Sequence, residues 1–152
     1  MTRIRAATLG DVPAIDRLTR DAYSRYVPVI GREPAPVLAD HAALVAAGEV
    51  HVAEVDGAVA GALVIRPAGG ALLLESAAVA PGLQGRGIGR ALIEFAEAQA
   101  AERRLGAVEL YTNAAMTDNV ALYPRLGYEE VGRRTEDGYD RVFFRKRLPQ
   151  SR

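Results

Sequence analysis

The run Val79-Ala80-Pro81-Gly82-Leu83-Gln84-Gly85-Arg86-Gly87-Ile88-Gly89-Arg90-Ala91-Leu92 decides how the rest of the chain is read. It joins a short apolar stretch to a long amphipathic one. Glycines at 85, 87 and 89 let the backbone turn sharply and present bare N–H groups. A helix starting directly behind them adds its unpaired first-turn amides and the positive end of its dipole. Such a junction binds phosphate or pyrophosphate.

Three readings of the loop compete. A P-loop requires Lys-Ser/Thr after its last glycine, whereas Gly89 is followed by Arg90-Ala91. A dinucleotide fingerprint requires Gly-x-Gly-x-x-Gly behind the first strand of a βαβ unit. Gly85-x-Gly87-x-Gly89 has the wrong spacing and follows the fourth expected strand. A glycine turn that holds no ligand remains open on the loop alone.

Outward from the loop, Leu72 to Val79 reads as a strand apolar on much of both faces, hence central, and Pro81 ends it. Ile88, Leu92, Phe95, Ala96 and Ala100 make one helical stripe, with Gly106 as its stop. Ala107 to Thr112 is a strand. Asp118 to Leu126 is a short helix capped by Thr117 and stopped by Gly127. Glu129 to Thr135 and Tyr139 to Leu148 are strands joined by Glu136-Asp137-Gly138.

Toward the N-terminus, Ile4 to Ala6 opens as a strand. Thr8 and Asp11 precede a helix with Val12, Ile15, Leu18 and Ala22 on its core face. Tyr23 to Pro36 reads as an irregular loop, and Val37 to Ala47 as a second helix. Val50 to Val55 and Ala58 to Arg66 are strands joined by the hairpin turn Asp56-Gly57. Pro67 to Gly70 is a further turn. The order β-α-α-β-β-β-α-β-α-β-β implies an α/β (α+β) mixed sheet with helices on both faces. Residues 1–148 form one domain in this reading, with 149–152 a frayed tail.

The composition narrows the function classes. The chain has 152 residues, 49% of them apolar and 25% charged, and a formal net charge of zero. That balance favours neither nucleic acid nor an anionic membrane. No stretch approaches the length of a membrane-spanning helix, and the start lacks the apolar run of a signal peptide, so a cytoplasmic location is expected. There is no cysteine, which removes disulfides, thiolate nucleophiles and Cys-based metal sites. His41 and His51 are too few and too far apart for a metal centre. Lys146 is the only lysine.

Gln84-x-x-Gly87-x-Gly89, preceded by Ala78-Val79-Ala80-Pro81, resembles motif A of the GCN5-related N-acetyltransferase (GNAT) family. The run Asn119-Val-Ala-Leu-Tyr123-Pro-Arg-Leu-Gly127-Tyr128 is similar to that family's motif B. The family's element order matches from Ile4 to Leu148. The resemblance implies a sheet that splays between the strand ending at Val79 and the strand ending near Thr112, with acetyl-CoA in the gap. By the same resemblance the pyrophosphate rests on Gln84, Gly85, Arg86, Gly87, Ile88, Gly89 and Arg90. The pantetheine arm pairs with the strand at about Ala77 to Val79, and Asn119 hydrogen-bonds the cofactor. Ser76-Ala77-Ala78 is small enough for close approach.

The implied activity is acetyl-CoA-dependent N-acetyl transfer to a primary amine of a small molecule or peptide. Without cysteine there is no Cys-bound acetyl intermediate, so the amine attacks directly in a ternary complex. Tyr123 is the family's acid beside the CoA sulfur, its phenol having an ordinary pKa of about 10. Pro124 departs from common family usage and removes a helical hydrogen bond after it. Glu75 is the leading base, on a face that strict alternation shares with Ala77 and Val79. Glu109 and a water chain are the competitors. The acceptor walls fall at Tyr23, Tyr26, Arg32, Glu33, Asp40 and 133–139, and Arg32, Arg133 and Arg134 favour an acceptor bearing a carboxylate. No metal is implied, and a homodimer stays open. The alternative function is a non-catalytic acyl-CoA-binding sensor or partner module.

Overall fold

Asp56-Gly57 and Asp137-Gly138 each place two consecutive residues in the left-handed region, at φ 52° and 81° and at φ 53° and 80°. That geometry matches the twist of adjacent strands, so each pair closes a tight hairpin. Residues 2–149 of the computed structural model are described, and most of the expected tail, 150–152, lies outside them. Seven strands form one sheet in the order β1-β2-β3-β4-β5-β7-β6. They are β1 (Thr2–Ala6), β2 (Val50–Val55), β3 (Ala58–Ala68), β4 (Ala71–Val79), β5 (Ala107–Asn113), β6 (Glu129–Glu136) and β7 (Tyr139–Arg147). All neighbours are antiparallel except β4 and β5.

Helix α1 (Val12–Tyr23) buries Ile15, Leu18 and Ala22 against Val50, Val52, Ala62, Val64 and Ala78 on one face of the sheet. Its entry is fixed by Asp11, whose carboxylate accepts from the Thr8 N–H at 2.7 Å and from Arg5 at 2.8 Å. Helix α5 (Ile88–Glu102) covers the other face with Ile88, Leu92, Ile93, Ala96 and Ala100. Ile93 belongs to that buried stripe, while Phe95 is only half-buried. These two layers make the mixed α/β fold with helices on both faces.

Four local expectations need correction. The stretch 23–36 contains two helical turns, one over Ser24–Tyr26 and α2 (Val27–Ile30), before it reaches α3 (Ala35–Leu38). The single helix expected over 37–47 is broken at Ala39, whose ψ is 145°. Asp40 then caps a new helix, α4 (His41–Ala46), by accepting from Ala43 N at 3.1 Å. Helix α5 ends with Arg104 in the left-handed region at φ 56°, two residues before the expected stop at Gly106. Helix α6 (Thr117–Arg125) takes Met116 as its N-cap, and Thr117 is its first residue. Gly127, at φ 92°, ends it as expected.

Gly61 lies where β3, β4 and α5 press together. A Cβ there would sit 3.1 Å from both the Ala78 carbonyl oxygen and Leu92 Cδ1. Gly61→Ala therefore lowers unfolding free energy by about 1–3 kcal/mol through overpacking. Urea titration should show the lower midpoint with an unchanged slope.

Candidate active site in the gap between β4 and β5

Strand β4 cannot keep both neighbours. It pairs with β5 only through Leu72–Leu74 against Val108–Leu110. On its other edge the register to β3 jumps from Leu74 opposite Ile65 to Ser76 opposite Val64, leaving Glu75 as an extra residue. This is a β-bulge, which bends the strand and re-aims a side chain. Core packing records the phase change. Leu72 and Leu74 pack toward α5, and after the bulge Ala77 and Val79 do so. Ala78 packs toward α1.

The bulge corrects the expectation that Glu75 shares a face with Ala77 and Val79. Glu75 instead pairs with Arg66 Nη2 at 2.6 Å and borders Ala35 and Pro36 of α3, on the α1 side. It also lines the gap itself. That gap is a cleft of about 420 Å³, lined by Glu75, Ser76 and Ala77 of β4, Tyr111 and Thr112 of β5, Gly89, Arg90 and Ile93 of α5, and Asn119 and Tyr123 of α6.

The glycine loop stands at the N-terminal end of α5. Gly85 and Gly87 have φ of 84° and 81°, and Gly87 is the residue that caps α5. Space in front of both is open, with nothing within 4 Å of where a Cβ would lie. Gly89 does a different job: its missing Cβ would lie 3.5 Å from Val79 Cγ2, so it packs α5 onto β4. Gln84 Nε2 donates to the Val79 carbonyl at 3.3 Å and braces the loop. Ile88 is buried in the core, so only its backbone is available to a ligand. Arg86 is exposed, and Arg90 pairs with Glu94 at 3.0 Å.

Tyr123 and Asn119 lie one helical turn apart on α6 and both face the cleft. Tyr123 is buried, with Tyr128 and Phe144 ring centres 5.7 and 5.6 Å away. Burial, then the nearby Tyr26, pushes its phenol up to about 12. Pro124 falls one residue before the end of α6, so its missing N–H affects only the last turn.

Both ends of α6 are tied down. At its start the Tyr26 hydroxyl donates to Asp118 Oδ2 at 2.7 Å, and Arg25 Nη2 pairs with the same oxygen at 2.5 Å. Just past its end Lys146 Nζ donates to the Leu126 carbonyl at 2.9 Å and to Glu97 at 3.1 Å. The Tyr128 hydroxyl donates to the same Glu97 at 2.9 Å.

The side expected to receive an acceptor opens around Glu75. A depression of about 50 Å³ lies between Tyr23, Pro34, Pro36, Tyr111, Met116 and Tyr139, with Glu75 and Arg141 in its wall. Of the walls expected from sequence, Tyr23 and Tyr139 are present. Tyr26 is committed to Asp118, and Asp40 caps α4. Arg133 pairs with Glu130, and Arg134 pairs with Glu136 over the Phe143 ring, so both point along the exposed β6 edge. Glu109 pairs with Arg145 at 3.2 Å and lines neither the cleft nor the depression. Tyr111, Met116 and Arg141 were missed. Only the strand alternation that buries Val108, Leu110 and Thr112 could have placed Tyr111 on the opposite face.

The sequence model of the Acetyltransferase (GNAT) family matches residues 14–128. Among solved structures, the PaiA N-acetyltransferase of Thermoplasma acidophilum, in complex with coenzyme A, superposes with a TM-score of 0.81 at 14% identity, over 97% of this chain and 99% of that one. A ribosomal-protein-alanine N-acetyltransferase from Brucella melitensis gives 0.76 at 27% identity, over 96% and 99%. Nourseothricin acetyltransferase gives 0.74 at 25% identity, over 97% and 99%. A comparison with curated protein sequences returned no match. Among the described residues no helix is long and apolar enough to cross a membrane.

The clamp at the start of α6 carries a pH signature. Burial pushes the Asp118 carboxyl up, but the Tyr26 hydroxyl and the Arg25 charge outweigh it and hold it below its usual value. A carboxylate depressed in the folded state stabilises above its unfolded pKa, and that contribution is lost as pH falls through the folded one. Below about pH 4 the melting temperature of the native protein should therefore fall more steeply than that of Asp118→Asn. Thermal melts of both across pH 2–6 check this (~4 for an unfolded Asp).

Proposed function

The chain belongs to the acetyltransferase (GNAT) family, and we propose that it moves an acetyl group from acetyl-CoA directly onto the primary amine of an acceptor bound beside Glu75. The observation that carries this reading is the single cleft joining three features: the first turn of α5 at Gly89 and Arg90, directly behind the glycine loop, the β4 edge beyond Leu74, and Tyr123. Acetyl-CoA supplies an activated thioester whose sulfur leaves with negative charge.

The residues fit that cosubstrate. The space in front of Gly85 and Gly87 is open at the N-terminus of α5, where first-turn amides and the helix dipole favour a pyrophosphate. Backbone groups of Ala77 and Val79 lie on a strand edge that β5 has left, so an extended arm can pair there. Asn119 offers an amide to the same cleft.

Tyr123 works by holding its proton. Burial pushes its phenol up to about 12, well above an ordinary thiol, which disfavours full transfer of the proton. Tyr123 therefore stabilises the thiolate through a charge-assisted hydrogen bond. Glu75 borders both the cleft and the acceptor depression, where it orients the ammonium and takes its proton, directly or through water. The chain has no cysteine to carry an acyl group, which favours direct attack by the amine.

Calorimetry should show acetyl-CoA binding to the native protein, weakened at least about tenfold in Gly87→Glu, where a side chain would have to occupy a left-handed backbone and the open anion cradle. Tyr123→Phe should lower amine-dependent CoA release about a hundredfold while changing affinity far less. The absence of cysteine lets a thiol reagent read released CoA without background. A folded protein that binds no acetyl-CoA overturns the proposal. A Tyr123→Phe variant as active as the native protein would remove Tyr123 from the mechanism and leave acetyl transfer standing.

A further inference from the structure

The acceptor side is roofed. The segment from Gly31 to Pro34 crosses from α2 to α3 and is fastened to the β6–β7 hairpin. The Tyr139 hydroxyl donates to the Glu33 carbonyl at 2.5 Å. Arg32 Nη1 donates to the Asp137 carbonyl at 3.3 Å, and its guanidinium lies over the Tyr139 ring, 4.1 Å from the centre. Gly138 leaves room for it, because a Cβ there would come within 2.7 Å of Arg32 Nη1. The two chain segments that would flank an acceptor are thus joined across the top, more than 100 residues apart in sequence.

Beneath this strap the space is small and mostly apolar. The depression of about 50 Å³ has room for roughly four water-sized groups. It shares Ala35, Pro36, Glu75 and Tyr111 with a second hollow of about 200 Å³ that runs under α3 toward Leu44 and Val64. Glu75 is the only carboxylate in either wall. An extended polypeptide entering between α2–α3 and the hairpin would have to break the strap. A compact amine need not.

Resting on the acetyl-transfer reading above, we propose that the acceptor is a small primary amine with an apolar body, and that the Tyr139–Glu33 strap excludes polypeptide amines. The ammonium meets Glu75 at the mouth of the cleft, and the apolar body fills the hollow under α3. In the transfer, the ammonium first gives one proton to Glu75, which passes it to water; the neutral amine nitrogen then bonds to the acetyl carbon, the carbon–sulfur bond breaks, the second amine proton goes to Glu75, and CoA leaves as thiolate. Tyr139 is a specificity-determining residue that acts through the strap, with no contact to the reacting atoms.

The test is acetyl-CoA with the full chain and two acceptor sets: alkyl- and arylalkylamines, and hexapeptides with a free N-terminal alanine or an internal lysine. We expect kcat/KM for the best small amine to exceed that for any peptide at least about tenfold. Tyr139→Phe keeps the ring and loses the strap's hydrogen bond, so the ratio of peptide to small-amine kcat/KM should rise about three- to tenfold. Arg32→Ala, which loosens the same strap from its other side, should move the ratio the same way. Peptides acetylated as well as small amines by the native protein, or a ratio unmoved in both variants, overturns this inference and leaves acetyl transfer standing. Failure of every amine to release CoA overturns acetyl transfer itself, and this inference with it.

Discussion

Everything in the site follows from one constraint: a β-strand has two edges, and past Leu74 strand β4 gives up one of them. Pairing with β3 continues to Val79, whereas pairing with β5 ends at Leu74 and Leu110. The bulge at Glu75 sits at the parting. An extra residue on one edge increases local bend and twist, which carries β4 away from β5. The separated edge would be costly if it stayed buried and unpaired. Its backbone groups therefore need a partner, and the cleft supplies room for an extended one. The same bulge turns Glu75 toward α3, so one extra residue both opens the cleft and sets a carboxylate at the end where the acceptor is proposed to bind.

Opening a sheet at its centre removes hydrogen bonds that would otherwise hold α6 and β5 in place. The compensation lies in the clamps at either end of α6. Asp118 is held by Tyr26 and Arg25, which belong to the α1 layer. Leu126 is held by Lys146 of β7, which also meets Glu97 of α5. Tyr128 closes this network by donating to Glu97, and the charge of Glu97 together with burial holds the Tyr128 phenol well above its usual value. One group satisfied from two sides resists displacement better than two isolated pairs. Tyr123 lies between the clamps, so its position is set by both faces of the molecule rather than by the short helix alone.

The parts legible in the sequence were those that local pattern encodes. The Asp-Gly hairpins, the central strand ending at Val79, the α1 and α5 stripes and the left-handed glycines all depend on neighbours within a few residues. The bulge was not legible, because nothing in Leu74-Glu75-Ser76 marks a register jump that only pairing with Val64 and Ile65 defines. The break at Ala39 was hidden by an alanine-rich run that helical propensity favours throughout. Asp40, able to cap a new helix by bonding Ala43 N, was its one sign. Arginines at 133 and 134 looked like ligands for an anion, yet local glutamates already hold them.

The two halves of the site differ in what builds them. The half proposed for the cosubstrate is backbone: amides, a helix terminus and a strand edge, with glycines to expose them. Such a half leaves a short, readable motif. The half proposed for the acceptor is side chains drawn from α1, the strap, β4, β5 and β7, and no short motif can gather residues from 23 to 141. Side chains on a strap and a hairpin can change without disturbing the buried layers under α1 and α5. A single scaffold can thus keep its acyl donor fixed while the shape of the acceptor is set at the strap. The Tyr139–Glu33 hydrogen bond, which ties the strap to the hairpin beside the depression, is therefore where this chain's own selectivity is to be sought.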